Sequence, residues 1–462
     1  MSTAASPCAA AARGRGVRAL LAAMIAGLAC APGAGRNSAP RAPAADAVVR
    51  ESRDGAVARG GGTPDAGGRL VRVALTRGAA AAGVTGTGDW RLYDDATRTL
   101  LARARAGDAW SIEGDGRRLR AVGPGGATPW RVGPIVARSG ALGALVVHDG
   151  KPYRGELWMH STPAGGVTIV NRVGVEDYLR GVVPLELGTD GASDLAALQA
   201  QAVAARSYAF AHLPEWLPAD DAQRQAALPW DLQAGVSDQV YGGADVEKPG
   251  SDRAVRATTG LVLRWNGSVV TAPYHSTCGG NTAEPREVWK GTGEPWLRRV
   301  SDRVPGTLDR YYCEAAPRYR WTREFDAEAL SQTIGRYLKT YAPGAPASVG
   351  AVRSLVVEER TPSGRVAALG VRTDAGTFVL RGNDIRFVLR SARGDILAST
   401  YFSVDLTSGG DGRVARAVLR GSGNGHGIGM CQWGAIGRAR AGQDFRTILR
   451  TYYPGTTIEP AE

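Results

Sequence analysis

The chain has 462 residues, 44% of them hydrophobic and 22% charged, which is enough apolar material for one large core or two smaller ones and too much for a disordered chain. Its 56 Lys+Arg against 44 Asp+Glu give a formal charge of +12. Such a surplus suits a polyanionic neighbour, whether nucleic acid, an anionic membrane or acidic wall polymers, but the arginines are scattered and no aromatic–basic motif accompanies them, which argues against a nucleic-acid binder and favours a plain solvated basic surface. At the N-terminus, Arg13, Arg15 and Arg18 precede the apolar run 19–29, and small residues follow. That order describes an export signal, and the run is shorter than the roughly 20 apolar residues a membrane-spanning helix needs. Cys30 after Gly27-Leu28-Ala29 resembles a lipoprotein cleavage site with Gly where Leu is preferred, so a lipid anchor at Cys30 and plain cleavage a few residues on both stay open.

Residues 1–35 are therefore expected to be the signal, and 36–68, rich in Gly and Pro without a hydrophobic period, a flexible tether. From Arg69 the texture becomes strand-like: Leu70–Leu75, Trp90–Tyr93 and Trp110–Ile112, separated by Gly/Asp turns, predict a small β-rich region over 69–140. Further strands are expected at 145–147, 155–159 and 166–170. Val175 begins a short helix that Pro184 ends or kinks, and Ser193 or Asp194 is placed to cap a helix reaching about His212. Its apolar stripe is Leu195, Leu198, Ala202, Ala205 and Ala209, with Gln199 and Arg206 on an adjacent face. Strands follow at 260–265, 269–272, 354–358 and 377–380. Near the end, a helix over 430–441 stops at Gly442, and Asp444 caps another over 445–453. The segment 141–458 is therefore expected to be an α+β catalytic domain, with no internal repeat.

Outside the targeting segment the cysteines are Cys278, Cys313 and Cys431. In an oxidising compartment Cys278 and Cys313 are expected to bridge, worth ~3 kcal/mol, leaving Cys431 as the odd thiol.

Three clusters carry candidate chemistry. Glu186 follows the Pro184 turn within an apolar stretch, where partial burial would raise its pKa as a general acid requires; the alternative is a structural glutamate capping the next helix. The segment 274–282 holds His275 and Cys278. A zinc site needs three or four ligands and no CxxC or HxxxH partner is adjacent, so no metal is expected; a Cys–His nucleophile pair three residues apart is also disfavoured. The segment Gly423 to Ala435 alternates glycines before a helix. His426 and Gln432 can hydrogen-bond a sugar and Trp433 can stack on one; a tightly packed structural turn fits equally.

Together, Val175 to Glu186, Ala200 to Tyr208, Ser237 to Gly243, Tyr274 to Gly280, and Gly425 to Ala435 with Tyr452-Tyr453-Pro454-Gly455 resemble, in order, the motifs of the SpoIID/LytB family of peptidoglycan lytic transglycosylases. The likeness covers roughly residues 145–457. It implies an exported envelope enzyme, in the periplasm or at the membrane, that cleaves the MurNAc–GlcNAc β-1,4 bond of glycan strands with a 1,6-anhydro product. Glu186 would serve as the single acid/base, and Gln201, Arg206, Tyr208, His275, Ser276, His426 and Gln432 would contact substrate. No cofactor is implied, and cell-wall amidases are candidate partners. The familiar motif has Met-Pro after the glutamate, whereas Leu187-Gly188 stand here. Some members bind zinc through His and Cys of the second cluster; with Asn281 here and no further histidine, that is not carried over. The competing expectations are a non-catalytic glycan-binding or regulatory envelope protein, and a Cys/His peptidase using Cys278 or Cys431.

Overall fold

The computed structural model describes residues 68–289 and 293–461. The expected signal, Cys8, Cys30 and all but the last residue of the tether lie outside the described residues. Two compact units divide between Gly174 and Val175.

The first unit is built from antiparallel strands. One sheet runs in the order Leu70–Ala79, Val167–Gly174, Glu156–Ser161, Ile135–Ser139, Trp90–Asp94, Leu100–Ala104. A second runs Lys151–Tyr153, Val146–His148, Ala81–Gly86, Trp110–Asp115, Arg118–Gly123. Strict alternation selects the inward faces: in Trp90-Arg91-Leu92-Tyr93-Asp94 the first, third and fifth residues are buried and the others half-buried, as period-two pleating requires. Trp90, Leu92, Ile112, Leu119, Ile135, Leu157 and Met159 form the core. The expected boundary at 140/141 falls inside this unit, because Glu156–Ser161 pairs with Ile135–Ser139 across it.

The second unit is the α+β half that the sequence predicts. Helix α1 spans Val175–Leu187 and continues through Pro184. Proline lacks the N–H that would close a bond to the Arg180 carbonyl, but the last turn persists. It ends at Gly188, whose φ of +69° is a left-handed terminator and whose N–H reaches the Pro184 carbonyl at 3.2 Å. Glu186 therefore sits in the final turn of α1, not in a loop beyond it.

Helix α2 spans Leu195–Phe210 and is buried on nearly every face, the mark of a central helix. Asp194 does not cap it with its side chain. Its carboxylate instead receives Arg440 at 2.7 and 2.9 Å, which ties the start of α2 to the helix Gln432–Arg440. The last helix, Phe445–Tyr452, is capped by Asp444 accepting from Thr447 N at 2.7 Å, as predicted. Two three-stranded antiparallel sheets, 320–326/414–422/402–408 and 352–360/366–373/376–381, enclose a core with the helix Ala327–Tyr341. That helix was not anticipated, although Leu330, Ile334 and Leu338 step by four along its buried face.

Candidate functional site

Two short strands, Tyr274–His275 and Met430–Cys431, pair in parallel, Tyr274 with Met430 and His275 with Cys431. This pairing joins the second and third sequence clusters. Gly429 makes it feasible: at φ +70° a Cβ there would lie 2.0 Å from the Pro273 carbonyl oxygen. The glycines of this segment admit protein backbone to protein, as in the structural reading of the motif.

Glu186 is half-buried. One carboxylate oxygen accepts from the Val240 backbone N–H at 2.9 Å, and the other lies 3.4 Å from Gln432 Nε2. The same amide nitrogen is 3.4 Å from Gln201 Oε1. The first and third clusters therefore meet at one carboxyl group with the 237–243 segment, and the second cluster stands behind them, through Gln239 and through its pairing with Met430–Cys431. Desolvation raises the Glu186 pKa above its ordinary 4.5, opposed by the two donors at Val240 and Gln432.

The 240–243 segment reaches α1 because Gly181 leaves room. Gly242 N donates to the Gly181 carbonyl at 3.1 Å, and a Cβ on Gly181 would stand 2.5 Å from the Tyr241 ring and 2.8 Å from the Gly243 oxygen. Gly181→Ala is expected to cost about 1–3 kcal/mol by overpacking, read as a lowered urea midpoint with unchanged m-value.

A hydrogen-bond chain runs behind the acid. Tyr178 Oη donates to Gln239 Oε1 at 3.0 Å, and Gln239 Nε2 donates to Tyr274 Oη at 2.8 Å. Burial first, then the nearby Glu186 charge, push the Tyr274 phenol well up. Both histidines are held neutral. His426 Nε2 donates to the Tyr274 carbonyl at 2.9 Å while its Nδ1 accepts from Ile428 N at 3.0 Å, and burial with Arg386 nearby lowers its pKa to about 3. His275 Nδ1 lies 3.1 Å from the Ile428 carbonyl, so it donates there and Nε2 carries the lone pair. Burial, then His426, depress it well below 6.5. The His426 ring stands 5.4 Å from His275 and 5.1 Å from Trp289. Among the described residues, two buried polar atoms here have no hydrogen-bond partner, Gln201 Nε2 and His275 Nε2.

Not every residue proposed from sequence meets the acid. Arg206 is fully buried and grips Glu176 with both Nε (2.8 Å) and Nη2 (2.6 Å), while Nη1 donates to the Leu261 carbonyl. It is a structural cation within α1 and α2, which corrects its expected substrate contact. Tyr208 Oη donates to Asp238 at 3.0 Å, and its ring stacks on His212. Ser276 presents its carbonyl to Trp433 N at 3.0 Å.

Cys278 and Cys313 do not bridge: their sulfurs are 3.5 Å apart and both are free thiols, as is Cys431. A disulfide requires about 2.05 Å, and a third sulfur competes for the same space. No thiol hydrogen-bonds a histidine among the described residues; Cys278 Sγ faces Asp302 Oδ2 at 3.3 Å, which removes the geometry of a Cys/His peptidase. Sequence reasoning missed the Val240 N–H, Gln239 and Tyr274, although all three stand in motifs that carried the resemblance. Asp302 had no signal.

Comparison with known proteins bears on the family of the chain. Residues 163–265 match the family model for stage II sporulation protein, and residues 308–429 match a domain of unknown function, DUF8618. An uncharacterized protein of Brachyspira hyodysenteriae is 30% identical over 290 residues, covering 63% of this chain and 68% of that protein. An amidase enhancer of Bacillus subtilis is 30% identical over 301 residues, covering 61% of this chain and 40% of the relative. Stage II sporulation protein D of the same species is 26% identical over 301 residues, covering 63% and 76%. The chain belongs to the SpoIID/LytB family. Among the described residues no helix is long and apolar enough to cross a membrane.

Proposed function

We propose that this protein acts on the cell wall as a lytic transglycosylase, cutting the MurNAc–GlcNAc β-1,4 bond of glycan strands with Glu186 as the sole acid/base. The observation that carries the proposal is one carboxyl group, its pKa raised by burial, at which four regions of the chain converge. Both neighbouring histidines are neutral across the physiological range, so neither competes as proton donor. The adjacent Asp238 is committed to Tyr208 and to Gln233 N at 2.9 Å, and a hydrolase pair is not needed. Protonated Glu186 gives its proton to the glycosidic oxygen as the C1–O bond breaks. The resulting carboxylate then takes the proton from the sugar's own 6-hydroxyl as that oxygen bonds C1, closing the 1,6-anhydro ring and restoring the acid. Gln201 and His275 are both buried; they support the site from behind, Gln201 through Gln432 and His275 through the Ile428 carbonyl, which speaks against the direct sugar contact expected of them.

Incubation with peptide-free glycan strands followed by mass spectrometry tests this reading. The expected products end in anhydro sugar, one water lighter than hydrolytic ends; ordinary reducing ends would make the protein a muramidase instead. The pH dependence has a definite sign. Activity requires the protonated acid, so kcat/KM should fall on the alkaline side above the range of an ordinary glutamate. Gln432→Leu removes a donor that favours the carboxylate, so its alkaline limb should move to still higher pH. A limb that moves downward contradicts the assignment.

The relative called an amidase enhancer supports a second reading, a non-catalytic glycan-binding regulator of wall amidases. Retention on insoluble peptidoglycan with no released product, together with stimulation of a purified amidase, would favour it. An envelope location, with or without a lipid anchor at Cys30, belongs to both readings.

A further inference from the structure

Behind the acid, four side chains distant in sequence converge: Cys278, Asp302, Cys313 and Cys431 are all buried, with their ligand atoms within 4.8 Å of one another. The Cys278–Cys313 sulfur separation of 3.5 Å is too long for a covalent bridge. It is close to the spacing of about 3.8 Å between two thiolates on one tetrahedral zinc with Zn–S bonds of about 2.3 Å.

Each ligand is already oriented from outside. Asp302 turns Oδ2 toward Cys278, while Oδ1 is held by Tyr452 Oη at 2.6 Å and Arg438 Nη2 at 3.1 Å, the kind of outer support that fixes metal-binding carboxylates. Cys431 Sγ accepts from Gly434 N at 3.3 Å and Cys278 N at 3.2 Å, donors that stabilise a thiolate at the start of a helix.

Arg365 supplies an independent observation. It is 1% exposed, donates to the Cys278 carbonyl at 3.0 Å, and leaves Nε and Nη1 without hydrogen-bond partners. A buried guanidinium draws on negative charge nearby, here the Glu287 carboxylate and the sulfurs of Cys278 and Cys431. A divalent ion bound by three thiolates and one carboxylate carries two net negative charges, which answer Arg365 and Arg438 together.

We propose that Cys278, Asp302, Cys313 and Cys431 form a closed four-ligand site for zinc. With no open position the ion is structural. Binding displaces the thiol protons to solvent and changes no oxidation state. The ion would cross-link the segment after His275, the 302–313 loop and the N-terminus of the helix whose first residue, Gln432, contacts Glu186. His275 is not a ligand. The inference stands whether or not Glu186 is catalytic.

The test uses the full chain, purified without chelator from zinc-supplemented cells. Elemental analysis should give about one zinc per chain. Exchange with Co2+ should give the intense visible absorption of tetrahedral cobalt thiolate, and alkylation mapping should find Cys278, Cys313 and Cys431 all reduced. Asp302→Asn should weaken zinc binding at least about tenfold, measured by competition with a chromogenic chelator. Glu186→Gln should keep its zinc, so that loss of activity and loss of metal are read separately. Should Cys431→Ser fail to fold, the wild-type metal content and cobalt spectrum decide alone. A Cys278–Cys313 disulfide in the native protein, or a wild-type chain without stoichiometric zinc and without the cobalt thiolate spectrum, overturns the proposal.

Discussion

Glu186→Gln is expected to lower glycan cleavage by about 10²–10⁴-fold, the usual contribution of a positioned general acid/base, while leaving the protein at least as stable as wild type. The two halves of this result have one cause. Burial raises the Glu186 pKa above 4.5, so the folded state favours the protonated carboxyl. For a group raised in this sense, the stability it contributes is fully present below its unfolded pKa and is lost as pH rises through the folded pKa. Glutamine keeps the shape, accepts from Val240 N as the carboxylate does, and cannot ionise. The stability difference should therefore grow in the variant's favour as pH rises. Product release by mass spectrometry and urea midpoints at several pH values measure both halves. An active variant removes the acid; an inactive but markedly destabilised one removes the claim that the cost lies in chemistry.

Arg206→Met is expected to act in the opposite way, costing about 3–5 kcal/mol of stability, the usual penalty for breaking a buried ion pair. The guanidinium is 0% exposed, Glu176 opposite it is 18% exposed, and the Leu261 and Val255 carbonyls also lose a donor. Adding Glu176→Gln to Arg206→Met should recover part of the loss, because the stranded carboxylate is then gone. Unfolding in urea followed by tryptophan fluorescence reads both. A single variant within 1 kcal/mol of wild type that nevertheless raises KM would return Arg206 to the substrate.

These two residues also mark how far the sequence could be read. Strand positions such as Trp90–Asp94 and the α2 stripe were legible because burial imposes a period, of two or of 3.6 residues, on local sequence. Glu186 was legible as a candidate because an acid amid apolar neighbours must be desolvated in almost any compact fold. Arg206 was not. Its neighbours along α2 show which face it occupies but not that Glu176, a helix away, lies opposite. The same blindness produced the expected Cys278–Cys313 bridge. Spacing in the chain says nothing of Cys431 and Asp302 arriving between them, and two sulfurs with a third beside them are no longer simply a pair. The unit boundary was set too early for a related reason: strand pairing across Gly140 is a long-range fact that alternation in either strand cannot encode.

The parallel pairing of Tyr274–His275 with Met430–Cys431 has a consequence in time. Residue 186 emerges from the ribosome, or from an export channel, long before residue 432, and closing so long a loop is an entropic cost met late in folding. Until the final helices arrive, the carboxyl group lacks Gln432, one of the two donors that face it. The surroundings that set the Glu186 proton are thus completed only when the segment carrying Gln432 has joined the fold, so a chain arrested before that segment would carry the carboxyl group without its tuning.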